Sequence, residues 1–600
     1  MKRLLRCGAG ALLAMLTACG AGSSSSAGGN QGSIMLALAS YTAQVYQSQT
    51  STTVNATLTR TGTVGNVALT LAGVPTGATW RVQSPGTGTT GSVTVGAGTA
   101  AAGTYPITVM ASDGQVQSMA TLTLTIGSFV QVSTQTGGAL QLAMSTSFQP
   151  AEWDYKFFQS FPAATTPLGN LPPAHIRLQG VSQGVPQKAD QTWDFTVLDA
   201  ITQPVLGVGD HSPEFQIAVA PSFMYDAGHN FLDPTFVQFG TYAQNLVSYY
   251  NTGGFDANGN HYQSPATGER IKYWGIYNEP NINNVTASQY VTMYNTIVPM
   301  MQTIDPTLKF SAVELSDFGT EEQNFIPTFL SGVTAQVDVL STHFYSSCNQ
   351  SDSDQQVFST VPAFTTGVQY LYSQLQGAGL TTVPVWVTEN NVNADFSNGN
   401  GMSTCNPGQA FVLDARGSSA FFAAWRPYVF SQLGKAGATA LYHWDFASDA
   451  QYGELDDQSG NTRLSYWVDY WLAHTFPSPP GAVILNFTTG SPSDDGGLET
   501  LAVQNPDKSV VVMVANHAVA SASDNNGPGA PRTVLLDVSA LGTFQTATLV
   551  TIDAKTDPLH GPMAGGVPVA AQIPLSLGGY GVSFLILNRA GGSGVGATRC

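Results

Sequence analysis

A chain of 600 residues is too long for one ordinary hydrophobic core, so the sequence predicts two to four domains. Hydrophobic residues make up 43% of the chain, which is ample for globular folding. The net charge of −18 argues against a nucleic-acid partner and against electrostatic docking on anionic lipid.

The N-terminus has the pattern of an export signal. Lys2, Arg3 and Arg6 precede the run CGAGALLAML, which is too short to span a bilayer. The following LTAC, ending at Cys19, resembles the lipobox of bacterial lipoproteins, in which the cysteine is lipidated; an ordinary signal peptide with a chance cysteine is the alternative. We expect a signal and lipobox at 1–19 and a flexible tether at 20–33. The protein would then be lipid-anchored in the cell envelope, at the outer membrane or cell surface, or secreted.

Residues 34–129 are short alternating runs, such as TTVNATLTRTG and SMATLTLTIG, bounded by turn residues. This pattern predicts a β-sandwich of about seven strands. The stretch GTYPITVMASDG with ATLTLTI resembles bacterial Ig-like modules, which implies a spacer or adhesion module. We find no catalytic motif in this segment.

Between 130 and 476, strand-like apolar runs alternate with helical or loop segments. The runs are LQLAMST (140–146), AHIRLQG (174–180), FQIAVAPSF (215–223), KYWGIYNE (272–279), KFSAVELS (309–316), VDVLSTHFY (337–345), VPVWVTEN (383–390) and ATALYHWDF (438–446). Eight strand–helix units predict parallel strands with crossover helices, and hence a (β/α)₈ barrel of the α/β class. A doubly wound sheet is the rival, but it would need a Gly-rich phosphate turn after the first strand.

Residues 477–589 return to β patterns, with runs such as RTVLLDVSAL and YGVSFLILN. They predict a second, C-terminal β-sandwich packed against the barrel. The last segment, 590–600, is expected to be a disordered tail.

Carboxyl groups stand at the ends of predicted barrel strands, where the active site of such a barrel gathers. Strand four ends in Asn278-Glu279 and strand seven in Glu389, on opposite sides of the ring, so the two carboxyls should face each other across the mouth. Glu314 ends strand five and is a further candidate for the mouth. Two facing carboxyls, one protonated and one ionised, are what glycoside hydrolysis requires. Two structural glutamates are the alternative, but buried unpaired carboxylates are costly.

Other strand ends supply candidates for substrate binding and support. Arg177 on strand two can hold an ionised carboxylate, although a structural ion pair is the alternative. His343 and Tyr345 are two residues apart on strand six and therefore point the same way, although such a histidine is often a core residue. Trp444 offers a flat face to a sugar ring, and Asn278 can bond a sugar hydroxyl.

Five cysteines occur in the chain. Cys348 and Cys405 follow strands six and seven, and an oxidising compartment permits a disulfide that would brace the cleft wall. Two free thiols are the alternative, and Cys600 has no assigned role. No C-x-x-C or histidine cluster with ligand spacing occurs, so we expect neither a metal nor a cofactor.

The motifs WGIYNEPN around Glu279 and VWVTEN around Glu389 resemble the acid/base and nucleophile strands of the clan of retaining (β/α)₈ glycosidases. The likeness is greatest to family 39 glycoside hydrolases, which include β-xylosidases, α-L-iduronidases and exopolysaccharide hydrolases. His343-x-Tyr345 and a C-terminal β-sandwich agree with it, and it covers about 130–590.

This resemblance implies that Glu279 is the general acid/base and Glu389 the nucleophile. The implied reaction cleaves β-glycosidic bonds of an oligo- or polysaccharide with retention of configuration, by β-xylosidase-like or endo action. A non-catalytic carbohydrate-binding or adhesion protein of the cell surface is the alternative.

Overall fold

A computed structural model describes residues 32–49, 51–148, 155–171, 176–179, 184–208, 213–265, 270–317, 319–477, 481–490 and 496–589. The predicted signal with Cys19, most of the tether, and the tail with Cys600 lie outside the described residues. Within the described ranges, no helix is both long and apolar enough to cross a membrane.

Two β-sheets enclose the N-terminal hydrophobic core. The strands are β1 (Ser33–Leu38), β2 (Thr42–Tyr46), β3 (Thr52–Thr61), β4 (Ala68–Ala72), β5 (Thr79–Gln83), β6 (Thr90–Gly96), β7 (Gly103–Ser112) and β8 (Gln117–Ala139). β1, β3, β6 and β5 form one antiparallel sheet, and β2, β4 and β7 join the first half of β8 in the other. Alternate residues of these strands point inward, as the period of two in their sequences requires.

The middle of the chain forms a closed parallel barrel, as the eight apolar runs predict. The strands of this region are β9 (Ala143–Phe148), β10 (Arg177–Gln179), β11 (Glu214–Ile217), β12 (Phe255–Ala257), β13 (Asn260–Tyr262), β14 (Tyr273–Ile276), β15 (Lys309–Leu315), β16 (Val339–Ser347), β17 (Val385–Asn393) and β18 (Ala440–His443). The barrel order is β9-β10-β11-β14-β15-β16-β17-β18, and β12 and β13 form a separate hairpin. Each predicted run overlaps one barrel strand, which confirms the barrel.

Helices cover the outside of the barrel. In the described residues they are α1 (Phe157–Ser160), α2 (Thr165–Asn170), α3 (Thr196–Gly207), α4 (Val237–Asn251), α5 (Ala287–Gln302), α6 (Thr320–Gly332), α7 (Asp354–Gly377), α8 (Ala420–Ala436) and α9 (Leu464–Thr475). Thr286 and Ser353 begin α5 and α7 with capping boxes, and Gly437 ends α8 in a left-handed conformation.

The C-terminal strands form a large sheet system beside the barrel. After the short pair β19 (Ala447–Ser448) and β20 (Leu455–Asp456) come β21 (Val483–Thr489), β22 (Leu498–Gln504), β23 (Val510–Asn516), β24 (Arg532–Asp537), β25 (Thr546–Asp553), β26 (Gly565–Val567), β27 (Gln572–Leu577) and β28 (Gly581–Asn588). Helix α8 is buried nearly all round, because it is covered by the barrel and by this sheet, where Lys435 pairs with Glu499 of β22.

Residues 130–139 differ from the domain boundaries expected from sequence. They were expected to begin the barrel, but they continue β8, whose second half pairs with β21 and β24 of the C-terminal sheet. The 23-residue strand β8 therefore belongs to the N-terminal and the C-terminal sheets at once. The turn signal Gly127-Ser128 does not end the strand, because the residues that follow it pair with β21 and β24.

Candidate active site

Irregular strand ends turn polar side chains into the barrel mouth. In the β16–β17 ladder, Thr342 pairs with Val387 but His343 pairs with Glu389, so Thr388 is an extra residue. Such a bulge reverses the alternation of side chains. Thr388 and Glu389 are adjacent in sequence, but because of the bulge both side chains point into the barrel.

Strand β15 ends in a second irregularity. Its register shifts between Ala312 and Leu315, and Val313 and Glu314 have φ values of 97° and 52°. This backbone conformation is unfavourable for a β-branched residue and is typical of functional sites. Gly275 on β14 leaves room for the Glu314 side chain, because a Cβ there would lie 3.1 Å from Glu314 Oε1.

Glu389 accepts hydrogen bonds on both of its oxygens. Arg177 Nη1 donates to Oε1 at 3.0 Å and the Tyr345 hydroxyl donates to Oε2 at 2.9 Å. Burial raises the pKa of Tyr345 well above its usual value, so the phenol keeps the proton it donates. Together these two donors fix the orientation of the Glu389 carboxylate.

Glu279 lies across the mouth and contacts His343. The imidazole Nδ1 is 2.8 Å from Glu279 Oε1 and 3.5 Å from Glu389 Oε2. Burial raises the pKa of Glu279 and the charge of Glu389 adds to the effect, whereas His343 acts in the opposite direction. One oxygen of each carboxylate and a nitrogen of His343 all lie within 4.8 Å of one another.

Arg177 is fully buried and connects several strands of the barrel. Besides Glu389, it donates to Gln216 Oε1 at 2.6 Å, to Glu314 Oε2 at 3.2 Å and to Asn278 Oδ1 at 3.4 Å. Gln216 Nε2 also donates to Asn278 Oδ1, at 2.8 Å. These bonds engage the side-chain carbonyl of Asn278, which lines the cavity, so its amide nitrogen is the group with donors for a ligand.

A second layer of carboxyls lies beneath the mouth. Glu314 accepts from Thr388 at 2.8 Å and from Ser311 at 2.9 Å, and its Oε2 is 3.3 Å from His343 Nε2. Burial acts to raise the pKa of Glu314, but Arg177 and His343 outweigh it and lower the pKa to about 2.

Glu214 on β11 lies beside Glu314 and was missed by the sequence analysis. Burial, followed by the charge of Glu314, raises the pKa of Glu214 to about 8. The available signal was the polar pair Glu214 and Gln216, two residues apart in the otherwise apolar run EFQIAVA, because that spacing places both on one face of the strand.

The mouth opens into a cavity of about 880 Å³. Glu279 and Glu389 lie in its wall together with Trp444, whose indole nitrogen donates to Gln179 Oε1 at 3.2 Å and whose ring packs edge-to-face on Tyr452 at 4.7 Å. The predicted aromatic group therefore lies beside the two carboxyls.

The loops after β16 and β17 form another part of the cavity wall. Cys348 and Cys405 are joined in a disulfide, with their Cα atoms 5.7 Å apart. Cys348, Cys405 and the partly exposed Phe396 all line the cavity. The disulfide therefore connects the two loops that bound this side of the cleft.

Two clusters have the donor types of a metal site, but their surroundings fit hydrogen-bonded networks. In the first, both nitrogens of His343 already contact the carboxylates of Glu279 and Glu314. In the second, His443 Nε2 lies 2.7 Å from the Tyr452 carbonyl and Nδ1 lies 2.9 Å from Asp469, which also accepts from Arg426. Since Arg177 and Arg426 already supply positive charge to these carboxylates, we assign no metal ligands.

Residues 247–412 match the sequence model of the family described as "Glycosyl hydrolase catalytic core". This segment contains Glu279, His343, Tyr345 and Glu389, but not Arg177 or Trp444. None of the curated proteins matches the sequence.

Several solved structures share the fold. A monomeric β-xylosidase from Caulobacter crescentus CB15 aligns with a TM-score of 0.54 and 14% identity, over 77% of this chain and 99% of its own. A GH39 enzyme from Xanthomonas axonopodis pv. citri aligns with a TM-score of 0.52 and 14% identity, over 77% and 97%. A conserved exported protein from Bacteroides fragilis aligns with a TM-score of 0.54 and 12% identity, over 76% and 100%. The family match and the barrel with its two carboxyls together support a glycoside hydrolase.

Proposed function

We propose that this protein is a retaining glycoside hydrolase that cleaves β-glycosidic bonds by double displacement. The observation that carries the proposal is the approach of a Glu279 oxygen to a Glu389 oxygen within 4.8 Å. Retaining enzymes hold their carboxyls about 5–5.5 Å apart, whereas inverting enzymes need about 6.5–9.5 Å for an intervening water.

In the first step, a Glu389 oxygen attacks the anomeric carbon and forms an ester bond to the sugar. The glycosidic C–O bond breaks, and its electron pair stays on the leaving oxygen, which takes the proton of Glu279. The raised pKa of Glu279 keeps that proton available at higher pH than an ordinary carboxyl group would. Arg177 and Tyr345 hold the attacking carboxylate in place.

In the second step, the Glu279 carboxylate removes a proton from water while the water oxygen attacks the same anomeric carbon. The bond from this carbon to Glu389 breaks, and the carboxylate is released with its charge. Arg177 and Tyr345 again donate to that charge. Two inversions at one carbon give net retention.

The cavity wall favours a neutral sugar over a uronic acid. None of the described residues that line it is a lysine or an arginine, whereas Asp317 and Asp352 join the two catalytic carboxyls there. A uronate carboxylate would therefore meet like charge without a basic partner. Exposed Ile282 and Phe396 instead offer apolar surface beside the site. We propose a neutral substrate, cleaved by β-xylosidase-like or endo action on an exopolysaccharide.

A panel of aryl β-glycosides and exopolysaccharides tests the function, with the anomeric configuration of the first product read by proton NMR. We expect β-product from neutral glycosides and at least tenfold lower kcat/KM for aryl uronides. Initial α-product from a β-glycoside contradicts the double displacement. Saturable binding of a glycan without turnover would instead support the non-catalytic adhesion protein.

We also propose that the protein is held in the cell envelope by lipid on Cys19. Apolar residues followed by small residues and a cysteine support this location. The anchor would place the barrel near extracellular polysaccharide.

A further inference from the structure

His343 lies between two carboxyls of different function. Its Nδ1 is 2.8 Å from Oε1 of Glu279 in the mouth, and its Nε2 is 3.3 Å from Oε2 of Glu314 in the layer below. A neutral imidazole has one N–H, so it can donate to only one of these oxygens, whereas the imidazolium donates to both. The side chains of His343 and Glu314 are fully buried, and water cannot substitute for a missing donor there without entering the core.

The charged and titratable groups that face His343 come from several strands. Glu279 follows β14, Glu314 lies on β15 and Glu389 on β17. Arg177 on β10 and Tyr345 on β16 contact these carboxylates rather than the imidazole. Arg177 is engaged by Glu389 and Glu314. Glu314 thus contacts both Arg177 and His343, and it is not among the residues that line the cavity.

We propose that Glu314 is a positioning residue that keeps His343 in the imidazolium form and so sets the proton affinity of Glu279. This inference rests on the proposed glycosidase function, because it gives Glu279 the role of general acid. Glu314 acts on the reaction only through His343, which holds the Glu279 carboxyl on its other nitrogen.

The electrostatics of the site agree with this arrangement. Burial disfavours a charged His343, but Glu389, Glu279 and Glu314 outweigh it and raise the pKa to about 10. His343 contacts Glu279 directly, and it is the main group that opposes the rise in the pKa of Glu279 caused by burial.

Glu214 provides a matched control. It is as buried as Glu314 and lies beside it, but the pKa of Glu214 is about 8 and that of Glu314 about 2. At pH 7 the substitution Glu214→Gln therefore replaces a neutral carboxyl with a neutral amide, whereas Glu314→Gln removes a full negative charge. The same chemical change at neighbouring positions should have different effects on His343.

The first experiment measures the charge of His343 without any substrate. The chain has nine histidines, and ¹³C labelling at Cε1, with the His343 signal assigned by its loss in His343→Asn, gives its titration. We expect His343 to remain an imidazolium up to pH 8, the range in which Glu214 is mainly neutral, in the wild type and in Glu214→Gln. In Glu314→Gln the pKa of His343 should fall by about one to three units, the effect of removing one nearby opposite charge.

The second experiment compares the pH dependence of kcat/KM for a glycoside with a poor leaving group. In Glu314→Gln the lowered pKa of His343 weakens the opposition of its charge to the raised pKa of Glu279 at alkaline pH, so the alkaline limb of the kcat/KM profile should move to higher pH. Glu314→Asp keeps the charge and should restore both the limb and the His343 titration.

Three results overturn the proposal: an unshifted His343 titration in folded Glu314→Gln, an equal shift in Glu214→Gln, or a neutral His343 at pH 8 in the wild type. The last requires no change at Glu314, so it can still overturn the proposal if Glu314→Gln does not fold; the titration of His343 in Glu314→Asp then replaces that of Glu314→Gln. A protein without turnover would refute the proposed function, but the NMR titration would still decide whether Glu314 controls His343.

Discussion

Replacing Cys348 and Cys405 by serine removes the covalent link between the loops that follow β16 and β17. The two cysteines are 57 residues apart in sequence and enclose α7 and β17, so the disulfide closes a loop that contains part of the barrel core. In the chain-entropy description, a closed loop of this length restricts the unfolded chain by about 4 kcal/mol at 25 °C. Since the bond also lies in the cavity wall, its loss should loosen the cleft and raise KM.

Pulse proteolysis in urea measures how far the free energy of unfolding of the barrel falls when the disulfide is removed. The chain has several cores and need not unfold in one step, so the disappearance of the intact barrel fragment is a better measure than one global signal. With a urea m value of about 3 kcal/mol/M, 4 kcal/mol corresponds to a midpoint lower by about 1 M. Wild type treated with dithiothreitol should match the double serine variant, and the variant itself should not respond to dithiothreitol.

A midpoint shift below about 0.2 M would refute the reasoning, because it would mean that closure of this loop contributes less than about 1 kcal/mol. A shift in the serine variant that dithiothreitol does not reproduce in the wild type would also contradict it. The lost stability would then arise from the cysteine side chains rather than from the bond.

Other predictions concern the two carboxyls and the anchor. Glu389→Ala should abolish turnover, and azide should restore it with formation of a glycosyl azide identified by mass; turnover equal to wild type would exclude it as the nucleophile. Glu279→Ala should lower kcat/KM by about 10²–10⁴ for poor leaving groups and far less for activated aryl glycosides, and equal losses would exclude the acid role. Because the pKa of Glu279 is raised, wild-type kcat/KM for a poor leaving group should persist above pH 4.5 and fall as pH rises through that pKa; a limb below pH 4.5 would contradict this direction. Cys19→Ser should move the protein from the membrane fraction to the soluble fraction in an immunoblot of fractionated cells. Retention of the variant in the membrane fraction would contradict the lipid anchor.

The positions of the barrel strands could be predicted because each is a run of apolar residues that must be buried on both faces. The same reasoning places Glu279 and Glu389 at strand ends on opposite sides of the ring. The boundary at 129/130 could not be predicted from composition. Whether β8 ends there or continues depends on its partners β21 and β24, which come more than 350 residues later in the chain.

The polar layer beneath the mouth depends on the tertiary structure in a similar way. Thr388 and Glu389 are neighbours that a regular strand would send to opposite faces, and only the bulge against β16 places both inside. Glu314 reaches the same space because Val313 adopts a left-handed conformation and Gly275 on the next strand has no side chain. Sequence patterns describe regular alternation and therefore miss residues that irregular backbone brings together.

By itself the sequence determined which residue types can carry the chemistry and on which strand ends they stand, because polar residues that interrupt the end of an apolar strand are visible in the sequence. The tertiary structure alone decided their protonation states. Glu214 and Glu314 have the same side chain and similar burial, but Glu314 contacts Arg177 and His343, whereas Glu214 lies beside the charge of Glu314. The charge of a buried carboxyl depends on the ions within a few ångströms of it, and those neighbours come from strands far apart in the chain.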